Sequence, residues 1–257
     1  AFDVGATPGQ TVVAGQWAID PDLLQLETTD LVLHETGGQT ALYMAGLNAT
    51  ALTGVRIEQG GSGSPFQGAV SVSNSGFDMA QFTEMAIFAG SDLGLAALRD
   101  GGLVNVSFGS NSQLSISNLG DATATQKTPV TDVITATHNG QNFAFVSYGS
   151  ADTVSMFRQE NGTLRHIADA NHDTGMWADR PGAMAVTEAA DGTLYVVVTA
   201  SGSGSLSVLE VSADGRGLAP VDHLIDSLDT RFAHASHVTS VTVGGQNFVL
   251  AAGNDQG

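Results

Sequence analysis

An apolar segment that closes on a small residue and a glycine recurs along this chain at nearly even intervals. It reads Ala41-Leu-Tyr-Met-Ala-Gly46, Met85-Ala-Ile-Phe-Ala-Gly90, Phe143-Ala-Phe-Val-Ser-Tyr-Gly149, Leu194-Tyr-Val-Val-Val-Thr-Ala-Ser-Gly202 and Phe248-Val-Leu-Ala-Ala-Gly253. The closing glycines are 44, 59, 53 and 51 residues apart. Short strands repeating every ~40–50 residues are what a β-propeller needs, because each blade is one small antiparallel sheet that buries its faces only against its neighbours.

The flanking sequence supports the same reading. Pro181–Thr187, Leu194–Ala200, Gly204–Val211 and Leu218–Leu224 read as four strands, with turns at Asp191-Gly-Thr193 and Asp214-Gly-Arg-Gly217. The order repeats upstream as Val133–Thr137, Phe143–Tyr148, Thr153–Phe157 and Leu164–Ala168, with turns at Asn139-Gly-Gln-Asn142 and Asn161-Gly-Thr163. Asn-Gly between apolar runs is a strong hairpin signal, since both residues accept a positive φ. In the unit around Met85 to Leu103, the Met85 run reads as a second strand and Gly94–Leu98 as a third, although Asp78 to Leu98 holds enough Ala and Met to tolerate a helical turn and Ser91 to Arg99 is its most ambiguous stretch. Residues 59–80 and 105–128 are rich in Gly, Ser, Asn and Thr, and read as eroded outer strands or long loops.

The expected fold is therefore all-β: a propeller of four-stranded antiparallel blades in a single domain over 1–257. The expected blades are 29–80, 81–128, 129–177, 178–231 and 232–257, the last incomplete. A complete ring is expected to draw its remaining strands from downstream sequence, another chain or the amino-terminal strands, because an open blade edge invites pairing.

Charge narrows the partners. With 26 acidic residues against 8 basic ones, the net charge is −18, which repels nucleic acid and anionic membranes. No run approaches the ~18 apolar residues a membrane-spanning helix requires. Cysteine is absent, so disulfides and thiolate metal sites are excluded. No Gly-x-Ser-x-Gly elbow, His-Glu-x-x-His, phosphate loop or dinucleotide fingerprint occurs, and no catalytic residue is assigned.

Three groups of residues are candidates for binding. Asp169, Asn171 and Asp173 alternate oxygen side chains along one short loop, as a calcium site requires; such residues more commonly cap turns. Trp177, Asp179 and Arg180, with Trp17 as a second aromatic, form a candidate contact for a sugar or protein, although a tryptophan wedged between blades is the commoner use. Asp179 and Arg180 with His172 also offer a base and a cation for hydrolysis. His234 and His237, with Asp229 nearby, are the tightest histidine pair and a weaker zinc candidate. His34 and His138, near hairpin turns, are expected on one rim.

The stretch from Arg180 through Leu194-Tyr-Val-Val-Val198 to Asp214-Gly215 resembles a blade of the lactonase-type seven-bladed propellers. The unit Gly140-Gln-Asn-Phe-Ala-Phe-Val146 through Asn161-Gly-Thr-Leu164 is similar to the propeller-like repeats at the front of long secreted RTX-type proteins of marine α-proteobacteria. That resemblance implies type I export, an extracellular or cell-surface location, and association with calcium. The glycine-aspartate nonapeptides of such proteins do not occur in these 257 residues. The expected function is a non-catalytic binding or structural module of an exported acidic protein, with a protein or cell-surface glycan as partner. The alternatives are a secreted lactonase-like hydrolase and a self-assembling surface subunit.

Overall fold

The computed structural model describes residues 2–4, 11–13, 28–36, 39–46, 52–57, 66–72, 81–99, 101–109, 114–119, 127, 129–227, 229–230 and 232–253. Four antiparallel four-stranded sheets follow one another along the chain. The first joins β3 (Thr28–Thr36), β4 (Gln39–Gly46), β5 (Leu52–Ile57) and β6 (Phe66–Val72). The second joins β7 (Phe82–Ile87), β8 (Leu93–Leu98), β9 (Leu103–Phe108) and β10 (Leu114–Asn118). The third joins β11 (Val130–His138), β12 (Gln141–Tyr148), β13 (Thr153–Glu160) and β14 (Thr163–Ala170). The fourth joins β15 (Pro181–Glu188), β16 (Leu194–Ala200), β17 (Ser205–Val211) and β18 (Leu218–Ile225). A two-stranded sheet, β19 (Ala235–Val243) and β20 (Gln246–Gly253), follows them. A short pair, β1 (Phe2–Val4) and β2 (Thr11–Val13), forms a separate sheet.

Each sheet is a meander, so consecutive strands pair and no long crossover is needed. Positive φ at Asn139 and Gly140 (50° and 71°) and at Asn161 and Gly162 (52° and 81°) gives the two-residue turns that match strand twist. The expected strands of the third and fourth sheets agree with those observed.

The second sheet requires a correction. Met85 lies in β7, the first strand of its sheet, and Leu93–Leu98 is the second strand rather than a third strand or helical turn. The Met85–Gly90 segment therefore matched the repeat out of phase. At the start of each sheet, Thr28 pairs with Gly46, Phe82 with Leu98, Val130 with Tyr148, Pro181 with Ala200 and Ala235 with Gly253. The second strands thus advance by 52, 50, 52 and 53 residues, more evenly than the glycine pattern. The glycine-rich segments 59–80 and 105–128 contain the outer strand β6, the end of β9 and all of β10.

Burial shows what holds the blades together. Phe143, Phe145, Val154 and Met156 of the third sheet share one core with Met184, Val196, Val198 and Leu209 of the fourth. Phe88, Leu95 and Leu103 of the second share another with Val133, Val146, Tyr148 and Phe157 of the third. Val32, Tyr43 and Leu52 pack with Phe82, Met85 and Val106 between the first and second. A smaller cluster of Leu206, Phe232, Ala235 and Ala251 seats β19 and β20 on the fourth sheet. The second strands β8, β12 and β16 lie between two sheet faces, which is why they read as unbroken apolar runs instead of alternating ones.

Candidate functional site

All five first strands break register at the same place. The irregularities lie between Thr28 and Asp30, Phe82 and Glu84, Val130 and Asp132, Pro181 and Met184, and Ala235 and His237. A β-bulge re-aims the residue that follows it. Here that residue is Asp30, Glu84, Asp132, Met184 or His237 in successive sheets, and all five line one pocket of about 560 Å³. Every first strand contributes to this pocket, which marks it as one mouth of the channel around which the blades are arranged.

The two aspartates are held firmly. Asp30 accepts hydrogen bonds from the amides of Leu31 and Met85, both at 2.7 Å, and Met85 belongs to the next sheet. Asp132 accepts from the amide of Met184, again in the next sheet, at 2.6 Å. Thr131 Oγ1 donates to the Pro181 carbonyl at 2.7 Å, and Ser147 Oγ to the Gly182 carbonyl at 2.8 Å, across the same boundary.

Glu84 differs. It occupies the same position, yet no hydrogen bond or ion pair among the described residues involves its carboxylate. Burial, followed by repulsion from Asp30 and Asp132, pushes its carboxyl up to about 8. Burial raises Asp132 to about 6, against the pull of its bonds from Met184 and Val133. Burial also raises Asp30, offset in part by the Met85 and Leu31 amides. The mouth is thus short of positive charge, and protons or a cation would relieve it.

The expected ligand residues lie close by but do not act together. Arg180 lines a groove of about 260 Å³ with Ser150, Pro181, Gly182 and Ser201, and the last two also line the channel mouth. Its backbone adopts a φ of 55°, anchored by an amide bond to Asp152 Oδ1 at 2.8 Å. Asp179 is exposed, its carboxylate lying over Gly202, where a Cβ would meet Asp179 Oδ2 at 2.3 Å. Trp177 is 61% exposed and packs on the His172 ring at 4.3 Å, so it is not wedged between blades. Trp17 lies outside the described residues.

Asp169, Asn171 and Asp173 do not converge. Asp169 Oδ2 accepts from Lys127 Nζ at 2.6 Å, while its Oδ1 is bonded to Ser155 and to His166 Nε2. Burial alone would raise the Asp169 carboxyl, but the bonds from His166, Lys127 and Ser155 hold it below the ordinary range. Asn171 caps a single turn at His172–Thr174, and Asp173 is exposed. His234 and His237 both line the channel mouth, whereas Asp229 is not among its lining residues. Among the described residues, no three His, Asp or Glu side chains are grouped closely enough to hold a metal ion.

His34 and His138 are both buried and each reaches a carboxylate of the next sheet or its turn. His34 Nε2 bonds Asp92 at 2.9 Å, and His138 Nδ1 bonds Glu188 at 3.0 Å. They clasp neighbouring blades through side chains.

Sequence reading missed Asp30, Glu84 and Asp132. A signal was available in the triplets Thr29-Asp30-Leu31, Thr83-Glu84-Met85 and Thr131-Asp132-Val133, each a threonine, an acid and an apolar residue at the start of a first strand.

These features define a β-propeller. No protein-family model matches the chain, and no curated protein is similar to it in sequence. Solved structures are similar in fold. A triple mutant of AofleA from Arthrobotrys oligospora matches with a TM-score of 0.59 and 14% identity, over 96% of this chain and 71% of that one. A 6-phosphogluconolactonase-like protein from Bacteroides uniformis matches with a TM-score of 0.57 and 13% identity, over 88% of this chain and 64% of that one. The β-propeller domain of Cps50 (Swd1) from Myceliophteria thermophila matches with a TM-score of 0.50 and 13% identity, over 77% and 58%. The chain therefore spans less than two thirds of the lactonase-like protein, and at these identities the likeness is one of fold.

Proposed function

We propose that this chain is the binding propeller of an exported, calcium-associated protein, and that it takes a positively charged ligand at the mouth of its channel. The observation that carries this reading is Glu84, a carboxylate with no hydrogen bond or ion pair among the described residues, which feels the charge of two fixed aspartates in an open pocket. A cation there would be attracted by all three charges, and oxygen donors of this kind suit a hard ion such as calcium. Glu84 would be its direct carboxylate ligand, with Asp30 and Asp132 attracting it through space, since the three are not grouped closely enough to share one metal ion. Binding would couple to the proton that Glu84 must release.

Calcium chloride titrated against the chain is the test, with melting temperature and calorimetry as readouts at pH 8.5 and pH 5.5 (values chosen about half a unit or more outside the two raised carboxyls). Calcium is expected to stabilise the chain at the higher pH, to do so far less at the lower, and to lose most of its effect in Glu84→Gln. No calcium effect at either pH in the unaltered chain would overturn the reading.

A second reading, a lactonase-like hydrolase, draws on the same pocket. Glu84 near 8 and Asp132 near 6 place a protonated acid and an ionised base on either side of neutrality. The 6-phosphogluconolactonase-like neighbour makes lactones the first substrates to try. Lactone opening that is abolished in both Glu84→Gln and Asp132→Asn would favour this reading over pure binding.

A further inference from the structure

The connection from β14 to β15 displays one large aromatic ring on a rigid support. Met176 and Ala178 are buried, at 1% and 2% exposure, while Trp177 between them points outward. On one side the chain is fixed by a reciprocal pair: the Asn171 side chain accepts from the Thr174 amide at 3.2 Å, and Thr174 Oγ1 accepts from the Asn171 amide at 2.8 Å. Gly175, at a φ of 91°, then turns the backbone sharply. This turn brings His172 to Trp177, with ring centroids 4.3 Å apart and planes tilted by 56°. On the other side, the Asp179 amide donates to Ser203 Oγ at 3.2 Å and the Arg180 amide to Asp152 at 2.8 Å.

A tryptophan left in water on a fixed backbone forgoes the burial its ring would gain elsewhere, and a ligand face can recover it. The surroundings indicate which kind. His172, Asp173, Thr174, Asp179 and Arg180 are all exposed, and no other large apolar side chain of this connection is. A protein partner would need a wider apolar contact around such an anchor. A pyranose ring needs only this much: one face of C–H groups to lie on the aromatic ring, and hydroxyls at its edge for carboxylate, guanidinium and hydroxyl partners. A net charge of −18 repels acidic glycans, so the sugar should be neutral.

We propose that Trp177, supported by His172, is the stacking platform of a binding site for neutral glycans, with Asp173, Asp179 and Arg180 as its polar rim. This site is separate from the channel mouth and stands or falls without it.

The chain has two tryptophans, so a Trp17→Phe background isolates the emission of Trp177. Titrating that variant with neutral saccharides built of glucose, galactose, mannose or fucose units should give a saturable emission change with a Kd on the order of 1 mM for at least one of them. Calorimetry on Trp177→Ala should show at least a tenfold loss, and Trp177→Phe a loss of about threefold, with unchanged far-UV spectra and melting temperatures. Glu84→Gln should leave sugar binding unaltered. The proposal is overturned if no saccharide gives a saturable change up to ~50 mM, or if binding survives Trp177→Ala. It is also overturned if only a protein ligand, and no sugar, depends on Trp177.

Discussion

The amide of Met184 donates a 2.6 Å hydrogen bond to Asp132 across the boundary between two blades, and the amide of Met85 does the same to Asp30 at 2.7 Å. The bulge before each aspartate aims its side chain sideways at the next blade while leaving it in reach of the channel. Asp132→Ala leaves a largely buried amide without an acceptor and is expected to cost about 1–3 kcal/mol. Asp132→Asn keeps an oxygen acceptor and should cost less. Urea denaturation of both variants beside the unaltered chain checks the order.

Stability should fall as pH rises through the weakly acidic and neutral range. Glu84 and Asp132 have raised carboxyls, so the folded chain holds protons that the unfolded chain has released. Their favourable contribution is complete below the ordinary carboxylate values. It is lost up to about 6 for Asp132 and up to about 8 for Glu84. Without added divalent ions, the melting temperature is expected to drop between pH 5 and pH 8.5, and Glu84→Gln should flatten the upper part of that drop (a pH span set by the linkage relation, roughly). An identical slope in the variant would show that Glu84 is not the group responsible.

Lys127 is the sole lysine of the chain, and its ammonium bonds Asp169 at 2.6 Å and Ser155 at 3.2 Å with the Tyr148 ring at 5.7 Å. Removing it alone, as in Lys127→Met, takes from a part-buried carboxylate its ammonium partner, leaving the Ser155 and His166 bonds, and should destabilise by about 1–3 kcal/mol. Replacing both partners, as Lys127→Met with Asp169→Leu, should recover part of that loss. A double-mutant cycle by thermal or urea denaturation measures the coupling.

In a polypeptide of these 257 residues, the outer edge of β20, unpaired among the described residues, should drive self-association. Phe248 and Leu250 are 45% and 56% exposed, whereas Phe143 and Phe145, their counterparts in β12, are at 1% and 0% beneath neighbouring strands. Unpaired, apolar strand edges pair with whatever strand meets them. Concentration-dependent growth of the sedimentation coefficient is expected, strengthened by salt as charge repulsion is screened. Leu250→Lys should suppress it and leave the melting temperature within about 0.5 kcal/mol equivalent of the parent.

Phe145, fully buried in the core shared by the third and fourth sheets, tests the packing itself. Phe145→Ala should cost about 3–5 kcal/mol, against a change near zero for Leu31→Ala, whose side chain is largely exposed. Equal effects at the two positions would contradict the assigned faces.

The strands of the third and fourth sheets were legible because each residue's pattern acts locally: apolar runs for second strands, alternation for third strands, Asn-Gly for turns. The second sheet was less legible because Met85–Gly90 and Leu93–Leu98 are similarly apolar, and only pairing shows which is first in the sheet. Loop candidates fared differently. Asp169, Asn171 and Asp173 are close in sequence, yet Asp169 turns inward to a lysine 42 positions away. Sequence closeness did not bring those three carboxyl and amide groups together, because β14 and the turn after it face different ways.

The sequence by itself determined that this chain is built of short antiparallel strands repeated every fifty residues or so, since hydrophobic period and turn residues are local properties. The tertiary structure decided which of its many acidic residues matter. Asp30, Glu84 and Asp132 are separated by 54 and 48 positions in the chain. They share one pocket because blade packing around a common axis superimposes equivalent positions of successive repeats. The desolvation and mutual repulsion that shift their carboxyls arise only from that convergence.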